Sequence, residues 1–207
     1  MNIPNLITTA RLVLTGLVFL CLEFAARGAF EPESGRIGGV DQPVPALVWT
    51  AFVLFLIAAF SDFLDGYLAR KWGMVTAFGR VADPFADKVL IAGALVTLLQ
   101  FPAVTTKSPQ TVLTTWYTVI VIAREFLVTA IRGVVEASGQ PFPADRLGKY
   151  KMVTQCWTVG ALLTMVAGTD FWVWAAVLGF WVSLVLTVVS GANYVWKART
   201  ILFAGAI

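Results

Sequence analysis

The chain has 207 residues, of which 58% are hydrophobic and 13% are charged. A soluble domain carries about 25% charged residues, so this composition excludes an ordinary water-soluble globular fold. Apolar stretches of about 15 to 25 residues recur along the chain, which is the length of a membrane-spanning helix. Since no polar segment is long enough to form a separate catalytic domain, any chemistry must take place within or at the edge of a helical bundle.

The charged and ionisable residues limit the chemistry further. The net charge of +3 is small and does not indicate a nucleic-acid partner, and the chain contains no histidine. Carboxylates are therefore the candidates for a general base or a metal ligand. The first residues lack the basic region and the cleavage site of a removable signal, so we expect the first apolar stretch to remain as a span.

The apolar stretches predict six membrane-spanning segments. All six are expected to be helices, because a backbone in lipid must satisfy its hydrogen bonds within each segment. We expect them to form one transmembrane catalytic domain over residues 1–207. Pro84 fits either the first turn of the third helix or a kink. The predicted spans are about Asn5–Ala26, Ala46–Trp72, Gly79–Phe101, Thr111–Val135, Leu147–Ala167 and Phe171–Trp196.

The distribution of lysine and arginine predicts the orientation in the membrane. By the positive-inside rule, both termini and the polar helix ends face the cytoplasm. Only Arg27, Arg36 and Lys107 lie on the opposite side. The cytoplasmic set is Arg70, Lys71, Arg80, Arg146, Lys149, Lys151, Lys197 and Arg199.

The second predicted helix carries two aspartates near its cytoplasmic end. Asp62 and Asp65 fall on one stripe of that helix, at about 100° per residue, together with Gly66, Ala69 and Arg70. The small residues Gly66 and Ala69, which follow these aspartates, allow close approach of a ligand to the backbone. This pattern favours a binding site over a simple polar rim.

The third predicted helix repeats the arrangement with Gly79, Asp83 and Asp87 at four-residue spacing. Four carboxylates at one membrane edge would repel each other, so a compensating charge of about +4 is needed, and two divalent cations provide it. All-carboxylate ligands favour Mg²⁺ or Mn²⁺, and two such ions can clamp a diphosphate. The alternative is that the aspartates pair with cations at the rim, namely Arg70, Arg80 and Lys88.

The eight spaced residues resemble the signature of the CDP-alcohol phosphotransferase family, D-x-x-D-G-x-x-A-R-x8-G-x-x-x-D-x-x-x-D. The resemblance implies a six-helix membrane enzyme, usually a homodimer, in which the four aspartates hold two divalent cations. It also implies that Asp87 is the general base as well as a metal ligand. CDP is then expected near Gly66, Ala69, Arg70 and Gly79.

Three further segments are similar to the bacterial branch of this family that uses sn-glycerol 3-phosphate: MNIPNLITTAR at the start, IAREFLVTAIR and GKYKMVTQ. In the first segment, Asn5 and Thr8 are weaker candidates, because both types are ordinary at helix N-termini. The loop from Phe30 to Pro45 carries no diagnostic residues, and we assign it no function.

Four cations of the other two segments, Arg124, Arg132, Lys149 and Lys151, are predicted to bind the phosphate of the acceptor, since cations inside a membrane need a compensating anion. The arginines lie about 80° apart on a helix and could share a pocket, whereas the lysines lie about 200° apart. Two alternatives stay open. Glu125 could neutralise Arg124, and the lysines could be topology signals only.

The predicted reaction transfers the phosphatidyl group of CDP-diacylglycerol to sn-glycerol 3-phosphate and releases CMP, in the cytoplasmic membrane of a bacterium. Inositol phosphate or phosphatidylglycerol could replace the acceptor on the same chemistry. A different class, a membrane cation transporter or channel, would use the intramembrane aspartates as ion ligands. Release of CMP distinguishes the enzyme from the transporter.

Overall fold

A computed structural model gives the fold of the chain. It describes the backbone of residues 3–28, 44–72, 77–105, 113–137 and 146–204. Side chains are described within these ranges except at 3–5, 28, 62–72, 77–81, 83, 136, 146, 170 and 200–204.

The described residues are helical throughout, with short turns and no strand, which confirms the all-α prediction. Six of the helices are longer than twenty residues, and α4 and a 3₁₀ turn are short. The helices are α1 Ile3–Gly28, α2 Pro45–Trp72, α3 Ala77–Leu98, α4 Pro102–Thr105, α5 Thr115–Ala137, α6 Arg146–Val166, the 3₁₀ turn Asp170–Trp172 and α7 Val173–Ala204.

The six long helices match the six predicted segments, with differences at four places. Helix α5 begins at Thr115, four residues after the predicted start at Thr111. Helix α3 ends at Leu98 because the backbone then turns, with Phe101 N donating to Leu98 O at 3.1 Å, and Pro102 has no N–H with which to continue the helix. Pro84 is the eighth residue of α3, so its placement in the first turn is wrong. Helix α7 continues past Trp196 to Ala204.

The surface of the bundle is that of a membrane protein. Two helical stretches within the described ranges, Leu6–Arg27 and Val173–Arg199, are long and apolar enough to cross a bilayer, and Pro45–Ser61 is a shorter apolar one. Large apolar side chains point outward, including Phe126 at 70% exposure and Phe171 at 73%. Such surface is stable against lipid and unfavourable in water. Crossing of the membrane by all six long helices stays a prediction.

Helix α3 lies at the centre of the bundle. It contacts α1, α2, α5 and α6, while α1 also packs on α2 and α7 packs on α5 and α6. One face of α3 is buried at four-residue spacing by Ala82, Ala86, Leu90, Ala94 and Leu98. The alanines permit close approach of neighbouring helices, which is how helices commonly pack in membranes. Side chains of α3 can therefore reach both halves of the bundle.

The packing of α1 on α3 gives a test of this arrangement. Gly93 on α3 lies under the ring of Phe19 on α1, and a Cβ at Gly93 would meet Phe19 Cζ at 2.1 Å. Gly93→Ala should therefore lower the free energy of unfolding by about 1 to 3 kcal/mol, the usual effect of overpacking. Thermal unfolding in detergent measures the change.

Gly133 on α5 is the matched control, because nothing lies within 4 Å of a Cβ added there. Gly133→Ala should stabilise the protein by about 0.5 to 1 kcal/mol through loss of backbone freedom in the unfolded chain. Equal stabilisation by the two substitutions would contradict the α1–α3 packing.

Candidate functional site

An ion pair between α1 and α3 holds the aspartate that was predicted to be the general base. Arg11 is completely buried on α1, and its Nη1 donates to Asp87 Oδ1 at 2.6 Å. The side chain of Asp87 is 27% exposed. A short contact between a guanidinium and a carboxylate is a strong, charge-assisted hydrogen bond. The ion pair therefore fixes one oxygen of the carboxylate against α1.

The other signature aspartates are placed by their backbone only. Asp62, Asp65 and Asp83 lie within α2 and α3, and their side chains are outside the described part. Asp62 precedes the end of α2 at Trp72 by ten residues, and Asp87 follows the start of α3 by ten. At about 1.5 Å of rise per residue, both lie about 15 Å from the helix ends that residues 73–76 connect. The two helices therefore carry these aspartates at the same distance from the connection.

The predicted CDP-binding residues belong to the same helices. Gly66, Ala69 and Arg70 lie on α2 and Gly79 lies on α3, and their surroundings fall outside the described side chains. Among the side chains that are described, no three carboxylate, cysteine or histidine groups stand together. The predicted metal ligands other than Asp87 are not among those side chains.

A second charged cluster joins α5, α6 and α7 around Glu125. One carboxylate oxygen of Glu125 accepts a hydrogen bond from Arg124 Nη1 at 3.0 Å and a second one from Lys151 Nζ. Arg124 Nη2 also donates to Ser190 Oγ on α7 at 2.9 Å. Arg124 and Lys151 are both buried. The expectation that Glu125 could neutralise Arg124 is thus confirmed, and the same carboxylate serves Lys151 as well.

The two predicted arginines meet at Tyr194 on α7. Arg132 Nη2 donates to the Tyr194 hydroxyl at 3.3 Å, and the Arg124 guanidinium lies 5.7 Å from the centre of the same ring. The Nε atoms of both arginines are buried and have no hydrogen-bond partner among the described residues. A buried donor without a partner is unfavourable, so these two N–H groups add to the cost of burying the arginines.

The two predicted lysines lie on opposite sides of α6, as their spacing of two residues requires. Lys151 is buried in the cluster with Glu125, whereas Lys149 is exposed. Of the four predicted cations, Arg124, Arg132 and Lys151 are brought together. Of the weaker candidates, Thr8 is buried on α1 three residues before Arg11, and the side chain of Asn5 is outside the described part.

Lys88 connects the two charged groups, although the sequence offered it only as a rim cation. It follows Asp87 on α3, and its Nζ donates to Thr129 Oγ1 on α5. The Thr129 hydroxyl in turn donates to the backbone oxygen of Glu125 at 2.7 Å. Consecutive residues of α3 therefore reach α1 on one side and α5 on the other.

Comparisons with known proteins show which sequences the chain is similar to. The sequence pattern of the CDP-alcohol phosphatidyltransferase family matches residues 1–189. A Bacillus subtilis protein named CDP-diacylglycerol--glycerol-3-phosphate 3-phosphatidyltransferase is 36% identical over 197 residues, which cover 95% of this chain and 94% of the relative. A Mycobacterium tuberculosis protein named probable phosphatidylglycerophosphate synthase is 32% identical, with 95% and 81% covered. A Haemophilus influenzae protein with the first of these names is 31% identical, with 76% and 81% covered.

The ion pair predicts energetic coupling between α1 and α3. Arg11→Met and Asp87→Asn should each destabilise the protein, because each leaves the partner's charge without this contact. The double variant should be less destabilised than the sum of the two, by about 1 kcal/mol or more. Chemical or thermal unfolding in detergent measures the cycle.

Arg27 and Glu23 provide the matched control, because they form an exposed ion pair at 3.0 Å on the same helix. Their coupling should be about 0.5 kcal/mol or less, as is usual for exposed pairs. Coupling of Arg11 with Asp87 no larger than this value would mean that the buried contact does not hold the two helices together.

Proposed function

Because the chain belongs to the CDP-alcohol phosphatidyltransferase family, we propose that it transfers the phosphatidyl group of CDP-diacylglycerol to sn-glycerol 3-phosphate and releases CMP. It is thus a phosphatidylglycerophosphate synthase of phospholipid biosynthesis. The basic cluster of Arg124, Arg132 and Lys151 on α5 and α6, in which Arg124 and Lys151 are buried, supports a phosphorylated acceptor. The family resemblance of the aspartates supports the choice of donor.

The charges of the basic cluster match a phosphomonoester. Arg124, Arg132 and Lys151 bring three positive charges, and Glu125 compensates one of them. A phosphomonoester carries about −1.5 to −2 charges at neutral pH, which is close to the remaining +2. Serine and choline bring no such anion. Inositol phosphate remains the alternative acceptor with matching charge. Phosphate binding by Lys149 stays a prediction. Its exposed position on the other face of α6 does not support that role.

The donor set of the signature fits hard divalent cations. All four predicted ligands are carboxylates, and the chain contains no histidine, which disfavours zinc and favours Mg²⁺ or Mn²⁺. Asp62, Asp65, Asp83 and Asp87 would hold two such ions. When bound, the ions would neutralise charge on the diphosphate and on the leaving CMP.

The residues of the chain perform the remaining steps. The primary hydroxyl of glycerol 3-phosphate attacks the β-phosphorus of CDP-diacylglycerol, and the carboxylate of Asp87 accepts the hydroxyl proton. Arg11 keeps one oxygen of that carboxylate against α1. Gly66, Ala69, Arg70 and Gly79 bind the CDP group. Arg124, Arg132 and Lys151 hold the acceptor phosphate, so that the reacting hydroxyl is oriented toward α3.

The cellular setting belongs to the same proposal. The protein is a single transmembrane catalytic domain of six spans in the bacterial cytoplasmic membrane, with its active site facing the cytoplasm, and it forms a homodimer. The exposed apolar side chains of the long helices support contact with lipid or with a second copy. Lipid donors then enter from the membrane, and the polar acceptor enters from the cytoplasm.

A panel of acceptors tests the proposed reaction. Purified protein receives CDP-diacylglycerol with glycerol 3-phosphate, inositol phosphate, phosphatidylglycerol or glycerol, and the lipid product is identified. Glycerol 3-phosphate should be preferred, and unphosphorylated glycerol should be poor. Preference for inositol phosphate or phosphatidylglycerol would replace the acceptor within the same family. Absence of any CMP release would favour the transporter.

The metal-binding role of the aspartates leads to a prediction with two readouts. Asn replacement of Asp62, Asp65 or Asp83 should abolish turnover, and it should weaken Mn²⁺ binding to the detergent-solubilised protein in parallel, because each change removes a ligand from a shared site. Mn²⁺ binding is followed by electron paramagnetic resonance. Full activity in excess chelator, or unchanged Mn²⁺ affinity, would contradict the assignment.

The acceptor site gives a separate prediction. Arg124→Ala or Arg132→Ala removes a charge-assisted contact worth roughly 1.5 to 3 kcal/mol. The KM for glycerol 3-phosphate should therefore rise by about tenfold to a hundredfold. The KM for CDP-diacylglycerol should stay nearly unchanged, because its diphosphate lies at α2 and α3. Initial rates with each substrate varied in turn measure the two constants.

Arg27→Gln is the control for the loss of a cation, since Arg27 is exposed in the last turn of α1 and pairs with Glu23. It should leave both constants unchanged. If the arginine variants raised the two KM values equally, the cations would act on the fold rather than on the acceptor.

A further inference from the structure

We propose that Lys88 is a further acceptor-binding residue, whose ammonium group contacts the phosphate of glycerol 3-phosphate. The inference rests on the proposed function and adds to it the group that links the acceptor phosphate to the general base. It concerns a residue that the sequence placed only among rim cations able to pair with the aspartates.

The position of Lys88 on α3 is the first observation. Lys88 is the next residue after Asp87, and consecutive helical residues project about 100° apart. Asp87 points to Arg11 on α1, whereas Lys88 points to Thr129 on α5. The ammonium group therefore lies on the side of α3 that faces the basic cluster.

The electrostatic surroundings of Lys88 are the second observation. Among the described residues, four charged groups act electrostatically on its ammonium group: Glu125, Arg132, Asp87 and Arg124. Lys88 is thus next to the proposed base in the sequence, and it contacts Thr129 on α5, three residues before Arg132 on the same helix. With Lys88 included, the cluster of four cations and Glu125 has a net charge of +3. A dianionic phosphate reduces that unfavourable excess.

The hydrogen bonds of Lys88 leave it able to bind an anion. An ammonium group has three N–H donors, and Thr129 Oγ1 accepts one of them. Thr129 gives its own hydrogen to the backbone oxygen of Glu125, so its oxygen faces Lys88 as an acceptor. Lys88 is also only partly buried. Thr129 therefore uses one N–H group of the lysine, and the remaining donors are available to a ligand.

The location has a consequence for acceptor choice. Glycerol 3-phosphate carries its reacting hydroxyl and its phosphate at the two ends of a three-carbon chain. In the proposed arrangement, the hydroxyl of the acceptor lies at the carboxylate of Asp87 while its phosphate contacts the ammonium group of Lys88, the next residue of α3. An acceptor without a phosphate gains nothing from Lys88.

Neutral and charge-preserving variants of Lys88 test the proposal. Lys88→Gln removes the charge and keeps a donor for Thr129, Lys88→Met keeps the aliphatic stem as a second neutral variant, and Lys88→Arg keeps the charge. The neutral variants should raise the KM for glycerol 3-phosphate by about tenfold to a hundredfold. Lys88→Arg should recover most of this loss. The KM for CDP-diacylglycerol and the slow use of glycerol should not change.

Thr129→Val is the matched structural control, because it removes the α3–α5 hydrogen bond and leaves the ammonium group in place. It should change the KM for glycerol 3-phosphate by no more than about threefold, which corresponds to less than 1 kcal/mol. If Thr129→Val reproduced the effect of Lys88→Gln, Lys88 would serve helix packing only. Unchanged KM in both neutral variants would equally overturn the proposal.

A binding measurement separates this inference from the proposed reaction. Protection by glycerol 3-phosphate against thermal unfolding is measured in wild type and in the Lys88 variants without the lipid donor. Protection should be present in wild type and strongly reduced in the neutral variants. Absence of transfer to glycerol 3-phosphate by wild type would reject the proposed function, whereas protection that is equal in wild type and neutral variants would reject the role of Lys88.

Discussion

Charges buried between apolar helices need partners, and this constraint accounts for most of the polar architecture of the protein. Arg11 is completely buried in α1 and has its partner on α3 in Asp87. Arg124 and Lys151 are buried on α5 and α6 and share Glu125. Since an unpaired charge in such a place strongly disfavours folding, each pair also fixes which helices meet. The same contacts that hold the bundle together thus place the reactive groups.

Helix α3 connects the two parts of the proposed site. Its alanine face lets neighbouring helices approach, and its contacts reach α1, α2, α5 and α6. From this position Asp87 contacts Arg11 on α1, and Lys88 contacts Thr129 on α5. A donor site on α2 and α3 and an acceptor site on α5 to α7 can therefore share one helix. This sharing explains how a lipid and a small polar molecule could react at one carboxylate.

The sequence predicted what depends on local pattern. Apolar length placed the six long helices to within a few residues, and the largest differences are the late start of α5, the early end of α3 before Pro102 and the continuation of α7 beyond Trp196. The spacing of Lys149 and Lys151 predicted opposite sides of α6, and that of Arg124 and Arg132 allowed the shared environment found at Tyr194.

Contacts between distant segments were not predictable in the same way. Arg11 and Asp87 are 76 residues apart, and no local period relates them. The presence of an arginine inside an apolar helix was the available signal, since such a group requires an anion, but it does not say which one. The contact of Lys88 was not predictable either, because the sequence considered Lys88 only in the alternative in which rim cations pair with the aspartates, whereas its hydrogen bond goes to Thr129.

The central claim is that the acceptor hydroxyl attacks the donor directly, with the two substrates held on either side of α3. Its most direct test is the stoichiometry of CMP and lipid product in purified wild-type protein given CDP-diacylglycerol with or without glycerol 3-phosphate. The account predicts one CMP for each phosphatidylglycerophosphate formed and almost no CMP when the acceptor is omitted. Release of CMP at the same rate without glycerol 3-phosphate, or formation of no phosphatidylglycerophosphate, would contradict it.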